Sequence, residues 1–174
     1  MSTSDGTGNP TTPSEEEVIQ AVAAKAIDVM MQGGNLYTLR GMTEQDIEAI
    51  YYLGHNHYSV GSYADAEQIF QGLCLLNHLG RKNWIALGAA QQMQKKYDPA
   101  MNSYAYAQAL DIAEATPTMH IYECLMAQEN YPKAAEALEG VLKITQGVDS
   151  QKPIRAKAEA LLKALREAMA KAGV

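Results

Sequence analysis

The sequence predicts an all-α fold: a solenoid of three helix pairs between a leading helix and a C-terminal capping helix. Three observations predict it: small and aromatic residues recur every 34 positions, apolar residues recur at helical spacing, and no segment has the pattern of a strand. With 174 residues, of which 47% are hydrophobic, the chain is long enough for one buried core. We therefore expect a single repeat domain over residues 14–174.

The first 13 residues, MSTSDGTGNPTTP, have no aliphatic side chain after Met1. Such a segment cannot bury enough surface to offset its ordering entropy, so we expect a disordered tail over 1–13. It also lacks the basic residues and apolar core of a secretory signal peptide. No apolar run approaches the roughly 20 residues that span a bilayer. These features predict a cytosolic protein that does not insert directly into membranes.

The leading helix begins after Ser14, which stands three residues before Glu17 in the pattern of a capping box. Gly33 and Gly34 end it, and residues 34–42 are expected to be a connection. The apolar residues that follow Ser14 at helical spacing are Ile19, Val22, Ala26 and Met30.

The central part of the chain contains a repeat of 34 residues. Aligning Gly54 with Gly88 pairs four further positions and predicts units over 47–80, 81–114 and 115–148. Those paired positions are Leu53 with Leu87, Tyr63 with Tyr97, Ala66 with Ala100, and Phe70 with Tyr104; the third copy places Ile121, Tyr131, Ala134 and Leu138 there. The glycines are expected to let the first helix of a pair approach the second, and the large side chains to fill the space between one pair and the next.

This pattern resembles the tetratricopeptide repeat. The middle unit carries its signature most closely, in Trp84, Leu87, Gly88, Tyr97, Ala100 and Tyr104. A capping helix is expected over about 151–172, where apolar residues recur at positions 154, 158, 161, 165 and 169. Residues 1–150 carry 8 basic against 18 acidic side chains, and residues 151–174 carry 6 against 2. Such an acidic body argues against nucleic-acid binding.

The resemblance to this repeat implies that the first helix of each pair lines a concave groove. The candidate peptide-binding residues at the groove positions are Glu48, Tyr51, His55, Tyr58, Lys82, Ile85, Ala89, Gln92, Met119 and Glu123. Ala89 is small among larger neighbours, which predicts a pocket for an apolar anchor of an extended peptide. Tyr51 and Tyr58 stand where the repeat does not require aromatic residues, so binding and plain packing both remain open for them.

Longer segments narrow the resemblance. The stretches IYYLGHNHYSVGSYADAEQIFQGLCLLNH, YDPAMNSYAYAQALD and HIYECLM are similar to the class II chaperones of type III secretion. That resemblance implies a bacterial cytosolic chaperone that keeps two hydrophobic translocator proteins soluble and apart before export, by holding a short segment of each in the groove. It also implies a homodimer through the leading helix, with Ile19, Val22, Ala26 and Met30 as candidate interface residues. Packing of these residues on the repeats of their own chain remains the open alternative.

Catalysis is not expected from this sequence. Cys74 with His78, and His120 with Cys124, are i and i+4 pairs, but two ligands fall short of the usual zinc set. No phosphate-binding glycine loop, serine-nucleophile motif or HExxH motif is present. We therefore expect no enzyme, no cofactor and no metal. The alternative function is a generic repeat scaffold or regulatory adaptor, which would bind partners through its convex surface or through the leading helix.

Overall fold

The computed structural model describes residues 15–172, which form nine α-helices and one short 3-10 turn without any strand. The tail over 1–13 and the cap at Ser14 lie outside the described residues. The predicted all-α solenoid is confirmed. The helices are α1 Glu15–Met31, α2 Leu36–Leu39, α3 Glu44–Ser59, α4 Tyr63–Leu76, α5 Arg81–Met93, α6 Tyr97–Leu110, α7 Thr116–Ala127, α8 Tyr131–Ile144 and α9 Lys152–Ala172, and the 3-10 turn is Asp149–Gln151.

Three antiparallel pairs, α3/α4, α5/α6 and α7/α8, stack in chain order, and each helix packs mainly on its neighbours in sequence. The second helix of each pair begins at Tyr63, Tyr97 and Tyr131, which are 34 residues apart. Helix α9 packs on α8 and buries Ala158, Leu162 and Leu165 against the third pair. It therefore covers the open end of the solenoid.

Close contacts between glycines and aromatic rings set the spacing within the first two pairs. A Cβ atom at Gly54 would lie 2.7 Å from Cε1 of Phe70, and one at Gly88 would lie 2.7 Å from Cε1 of Tyr104. Both rings are almost completely buried. The predicted role of the glycines is confirmed, but each ring lies against the first helix of its own pair rather than only between pairs.

The connection predicted over 34–42 contains an additional helical turn, α2, so the expectation of eight helices was one too few. Tyr37 in this turn is buried and joins the core around Ile47 and Leu73. Helix α3 begins with a capping box: the backbone N–H of Thr43 donates to the Asp46 carboxylate at 2.8 Å, and the Asp46 N–H donates to the Thr43 hydroxyl at 3.2 Å.

Helix α1 differs from the other long helices because its main packing partner is the short α2. Ile19, Val22 and Met30 are 67%, 63% and 45% exposed, so these apolar side chains lack cover from the described chain. Ala26 is half-buried. None of the helices over 15–172 combines the length and hydropathy that a membrane span requires.

A buried carboxylate links the first pair to the second. Glu67 on α4 accepts hydrogen bonds from Lys96 at 2.7 Å, Gln94 at 2.8 Å and Gln91 at 3.3 Å. Gln91 in turn accepts a hydrogen bond from the Ser103 hydroxyl of α6 at 2.8 Å. Burial acts to raise the pKa of Glu67, but these donors outweigh it and leave the pKa lowered. The ionised carboxylate therefore fixes the register of α4, α5 and α6.

Substituting Gly88→Ala tests the glycine contact. The new Cβ would overlap the Tyr104 ring, so we expect a loss of about 1 to 3 kcal/mol in the free energy of unfolding, measured by urea denaturation. Gly72→Ala is the matched control, because a Cβ at this helical glycine meets nothing within 4 Å. It should stabilise the protein by about 1 kcal/mol or less. Equal effects of the two variants would contradict the close-packing account.

Glu67→Gln tests the buried carboxylate. At neutral pH the variant should be less stable by about 1 to 3 kcal/mol, because three donors lose a charged acceptor. A lowered folded-state pKa contributes stability that is fully present above the unfolded value, about 4.3, and is lost as the pH falls through the folded value. Unfolding curves of the two proteins should therefore converge in acid. Glu136→Gln, at an exposed position on α8, is the control and should match wild type throughout.

Candidate functional site

An apolar pocket opens between α3 and α5, on the face formed by the first helices of the pairs. Its volume is about 190 Å³. Five of its seven lining residues are groove positions predicted from the sequence. The lining residues are Tyr51, His55, Tyr58, Phe70, Ile85, Ala86 and Ala89.

The depth of the pocket follows from side-chain size. Ala86 and Ala89 leave space on α5, and Gly54 lets the Phe70 ring reach the pocket from α4. The Tyr51 ring centroid lies 5.7 Å from that of Phe70. Phe70 and Ala86 were not among the predicted site residues, because the sequence pattern assigned Phe70 to the core. The size of Ala86, one turn from Ala89, was the signal that could have identified it.

Tyrosine side chains give the pocket polar atoms at its edge. Burial, with a smaller effect of neighbouring Tyr63, raises the pKa of Tyr58. The Tyr58 hydroxyl therefore stays protonated and can donate a hydrogen bond to a bound main chain. The ring of Tyr63 lies edge-on at 5.3 Å between centroids. The pocket thus combines an apolar interior with a hydrogen-bond donor.

An ion pair borders the pocket on the side toward the start of α3. The Lys82 ammonium pairs with the Glu48 carboxylate. It also lies over the Tyr51 ring, 4.6 Å from the centroid, in cation–π geometry. Both charged residues were predicted groove residues. The structure brings them to the edge of the pocket rather than into it.

The predicted positions toward the third pair form a polar cluster. Gln92 accepts a hydrogen bond from the Tyr104 hydroxyl at 2.7 Å. A Glu123 carboxylate oxygen lies 3.0 Å from Nδ1 of His120, and the Lys157 ammonium is 3.9 Å from its other oxygen. The hydrogen bond with His120 is the largest cause that lowers the pKa of Glu123. This cluster is separate from the apolar pocket.

Met119, another predicted groove residue, lies in the core. It is 4% exposed and packs in the core with Ala115 and Tyr122, which share its helix face at a spacing of four and three residues. The structure does not bring it to the groove surface, because this face of α7 turns toward α8 and α9. The repeat count assigned Met119 to the groove because it holds the same position as Tyr51 and Ile85.

The two cysteines are buried thiols. Cys74 and Cys124 are free and buried. Burial raises the pKa of Cys74 to about 12 and, with a smaller effect of Glu123, that of Cys124 to about 11, so both thiols stay protonated. Across residues 15–172, no group of three or more His, Cys, Asp or Glu side chains is arranged to hold a metal ion.

Helix pairs at a 34-residue spacing, with an apolar pocket on the face of their first helices, define a tetratricopeptide-repeat protein. No protein-family model matches the chain. Low calcium response locus protein H of Yersinia pestis is 35% identical over 106 residues, which cover 61% of this chain and 63% of that protein.

Solved structures match over almost their whole length. The translocator chaperone SycD of Yersinia enterocolitica aligns with a TM-score of 0.69 and 30% identity, over 75% of this chain and 98% of that chain. PcrH of Pseudomonas aeruginosa aligns with a TM-score of 0.66 and 32% identity, over 74% of this chain and 97% of that chain. SycD has also been solved with a peptide of the translocator YopD and in an alternative dimer, and PcrH with the chaperone binding regions of PopD and PopB.

These similarities show the family. The chain belongs to the class II chaperones of type III secretion, as the sequence resemblance predicted.

Proposed function

We propose that this protein is a chaperone of the bacterial cytosol that binds a short, extended segment of a type III secretion translocator in the groove lined by α3 and α5. The single observation that carries the proposal is the apolar pocket of Tyr51, His55, Tyr58, Ile85 and Ala89. The peptide complexes of SycD and PcrH support it. Binding would keep the hydrophobic client soluble until export. It would also keep this client apart from a second one.

The size of the pocket suits reversible binding. A volume of about 190 Å³ accommodates one aliphatic side chain, and full burial of such a side chain contributes about 1.5 to 3 kcal/mol. A peptide with two or three anchors gains several kcal/mol and then loses part of this to ordering its backbone. The result is micromolar-scale affinity, which permits release at the export apparatus. The activity is binding and release, with no chemical step and no cofactor.

Other predicted groove residues would extend the contact beyond the anchor. Glu48 and Lys82 border one side of the pocket, and Gln92 and Glu123 lie toward the third pair. A generic scaffold that uses the convex surface remains the rival function. Substitutions in the pocket should weaken partner binding by a groove-binding chaperone. They should not affect a convex-surface scaffold, because it does not depend on the pocket.

A dimer through α1 is the second part of the proposal. Its support is the exposed apolar surface of Ile19, Val22 and Met30, beside half-buried Ala26, on a helix whose main contact is a four-residue turn. Contiguous apolar surface of this kind marks interaction sites in soluble proteins. The alternative dimer of SycD shows that a relative associates with itself.

Anchor binding is tested by co-expression of Tyr51→Ala/Tyr58→Ala and Ala89→Leu variants with candidate translocators from the same gene neighbourhood. The first variant removes the pocket walls and the second fills the space, so we expect at least a tenfold loss of affinity, roughly 1.4 kcal/mol. Size-exclusion chromatography and peptide titration give the readout. Tyr52→Ala is the matched control, since Tyr52 neighbours Tyr51 but is 59% exposed and does not line the pocket.

Retention of the soluble complex by both pocket variants would reject the groove as the client site and favour a convex-surface scaffold. Loss of the complex in Tyr52→Ala as well would point to a general loss of fold. Circular dichroism of each variant separates that case.

Dimerisation is tested with Val22→Glu, which places a charge in the exposed apolar surface of α1. We expect sedimentation to shift from dimer to monomer, with unchanged helicity, because the substitution leaves the repeats untouched. Lys25→Glu, a charge change at an exposed position of the same helix, should leave the dimer in place. A Val22→Glu variant that remains dimeric would locate the interface elsewhere.

A further inference from the structure

A second cavity, of about 310 Å³, lies where α2 and the start of α3 meet the turn between α4 and α5. Its lining is about half polar, whereas the pocket of Tyr51 and Tyr58, which we call the anchor pocket, is mainly apolar. The groups that matter are Asn35, Glu44, Glu48, Asn77 and Lys82. We call it the polar cavity.

One of the residues that line the polar cavity carries a buried acceptor without a donor in the described chain. Oδ1 of Asn35 is buried and accepts no hydrogen bond, although Asn35 occupies the N-cap position of α2. An unmade hydrogen bond at a buried atom costs about 1 to 3 kcal/mol, so a donor from a ligand would be favourable there. Glu44 also makes no ion pair within residues 15–172, whereas Glu48 is paired with Lys82.

The charge of the polar cavity favours a cation. Two carboxylates, Glu44 and Glu48, stand against the single ammonium of Lys82, so one negative charge is left uncompensated. A lysine or arginine side chain supplies both the missing positive charge and the N–H donors that Asn35 lacks. The acidic body of the chain, with 8 basic against 18 acidic side chains over residues 1–150, attracts the same kind of ligand.

The polar cavity adjoins the anchor pocket. Lys82 and Glu48 line the cavity, while Lys82 also covers the ring of Tyr51, which lines the pocket. One ion pair therefore separates the two sites along the same face of α3. A peptide bound in the pocket passes this ion pair if it continues toward the start of α3.

From these observations we infer that the polar cavity receives a lysine or arginine side chain of the client segment whose apolar anchor occupies the Tyr51/Tyr58 pocket. This inference rests on the proposed function and adds a rule for client choice. Glu44 and Asn35 are the specificity-determining residues, since they provide the uncompensated charge and the acceptor without a donor.

The geometry also sets the spacing of the client motif. Glu44 and Tyr51 are seven residues apart on α3, which corresponds to about 10 Å along a helix that rises 1.5 Å per residue. An extended peptide advances about 3.3 Å per residue. The basic residue therefore lies about three positions from the anchor.

The test is a double-mutant cycle on the full chain. An array of overlapping peptides from the co-expressed translocator identifies the bound segment, which is then synthesised with a fluorescent label. In a second peptide, the basic residue near the anchor is replaced by citrulline or norleucine, which keeps its length and removes its charge. Fluorescence anisotropy gives the affinity of both peptides for wild type and for Glu44→Gln.

We expect Glu44→Gln to weaken binding of the natural peptide about 2- to 10-fold and to leave binding of the uncharged peptide unchanged. Asn35→Leu, which removes the acceptor, should also weaken the natural peptide more than the uncharged one. Added salt should reduce the difference between the two peptides. Glu136→Gln, at an exposed glutamate on α8, controls for the loss of one negative charge.

The results that would overturn this inference differ from those that would overturn the proposed function. If Tyr51→Ala/Tyr58→Ala weakens binding while Glu44→Gln acts equally on both peptides, or on neither, the polar cavity does not bind the basic side chain and only this inference fails. If the bound segment has no basic residue two to four positions from its anchor, again only this inference fails. If the tyrosine substitutions leave binding unchanged, the groove itself is not the client site and both proposals fail.

Discussion

Two glycines control the distance between the helices of the first two pairs, and the groove depends on that distance. At Gly54 and Gly88 a single added carbon atom would lie 2.7 Å from a buried aromatic ring. Protein interiors are packed too densely to absorb such an overlap. The Phe70 ring that fills the space beside Gly54 also lines the anchor pocket. The contact between Gly54 and Phe70 therefore sets the helix spacing in the first pair and also shapes the candidate site.

A polar network contributes to the register between the first and second pairs. The Glu67 carboxylate requires its donors from α5 and the following turn at hydrogen-bond distance. This fixes α4 relative to α5, and α5 carries Ile85, Ala86 and Ala89 into the pocket. The buried network thus keeps the groove preorganised, which reduces the ordering cost of binding.

The polarity of the groove changes from one part of the first helices to another. The Glu48–Lys82 ion pair borders the apolar pocket on one side. The polar cluster of Gln92, His120 and Glu123 lies apart from the pocket, toward the third pair. Apolar anchors supply affinity, while flanking charges select the register of the bound segment. Such a division suits a chaperone, which must recognise one short segment of a hydrophobic client and then release it.

The sequence by itself determined the all-α fold, the helix pairs and five of the seven pocket residues, because a 34-residue repeat fixes which helix face each side chain occupies. It could not assign Phe70 to both core and pocket, place Met119 in the core, or reveal the buried turn of Tyr37. Only the tertiary structure decided these points and brought Asn35 beside Glu44 and Asn77. Periodicity encodes orientation within one helix, whereas cavities arise from the packing of helices distant in sequence.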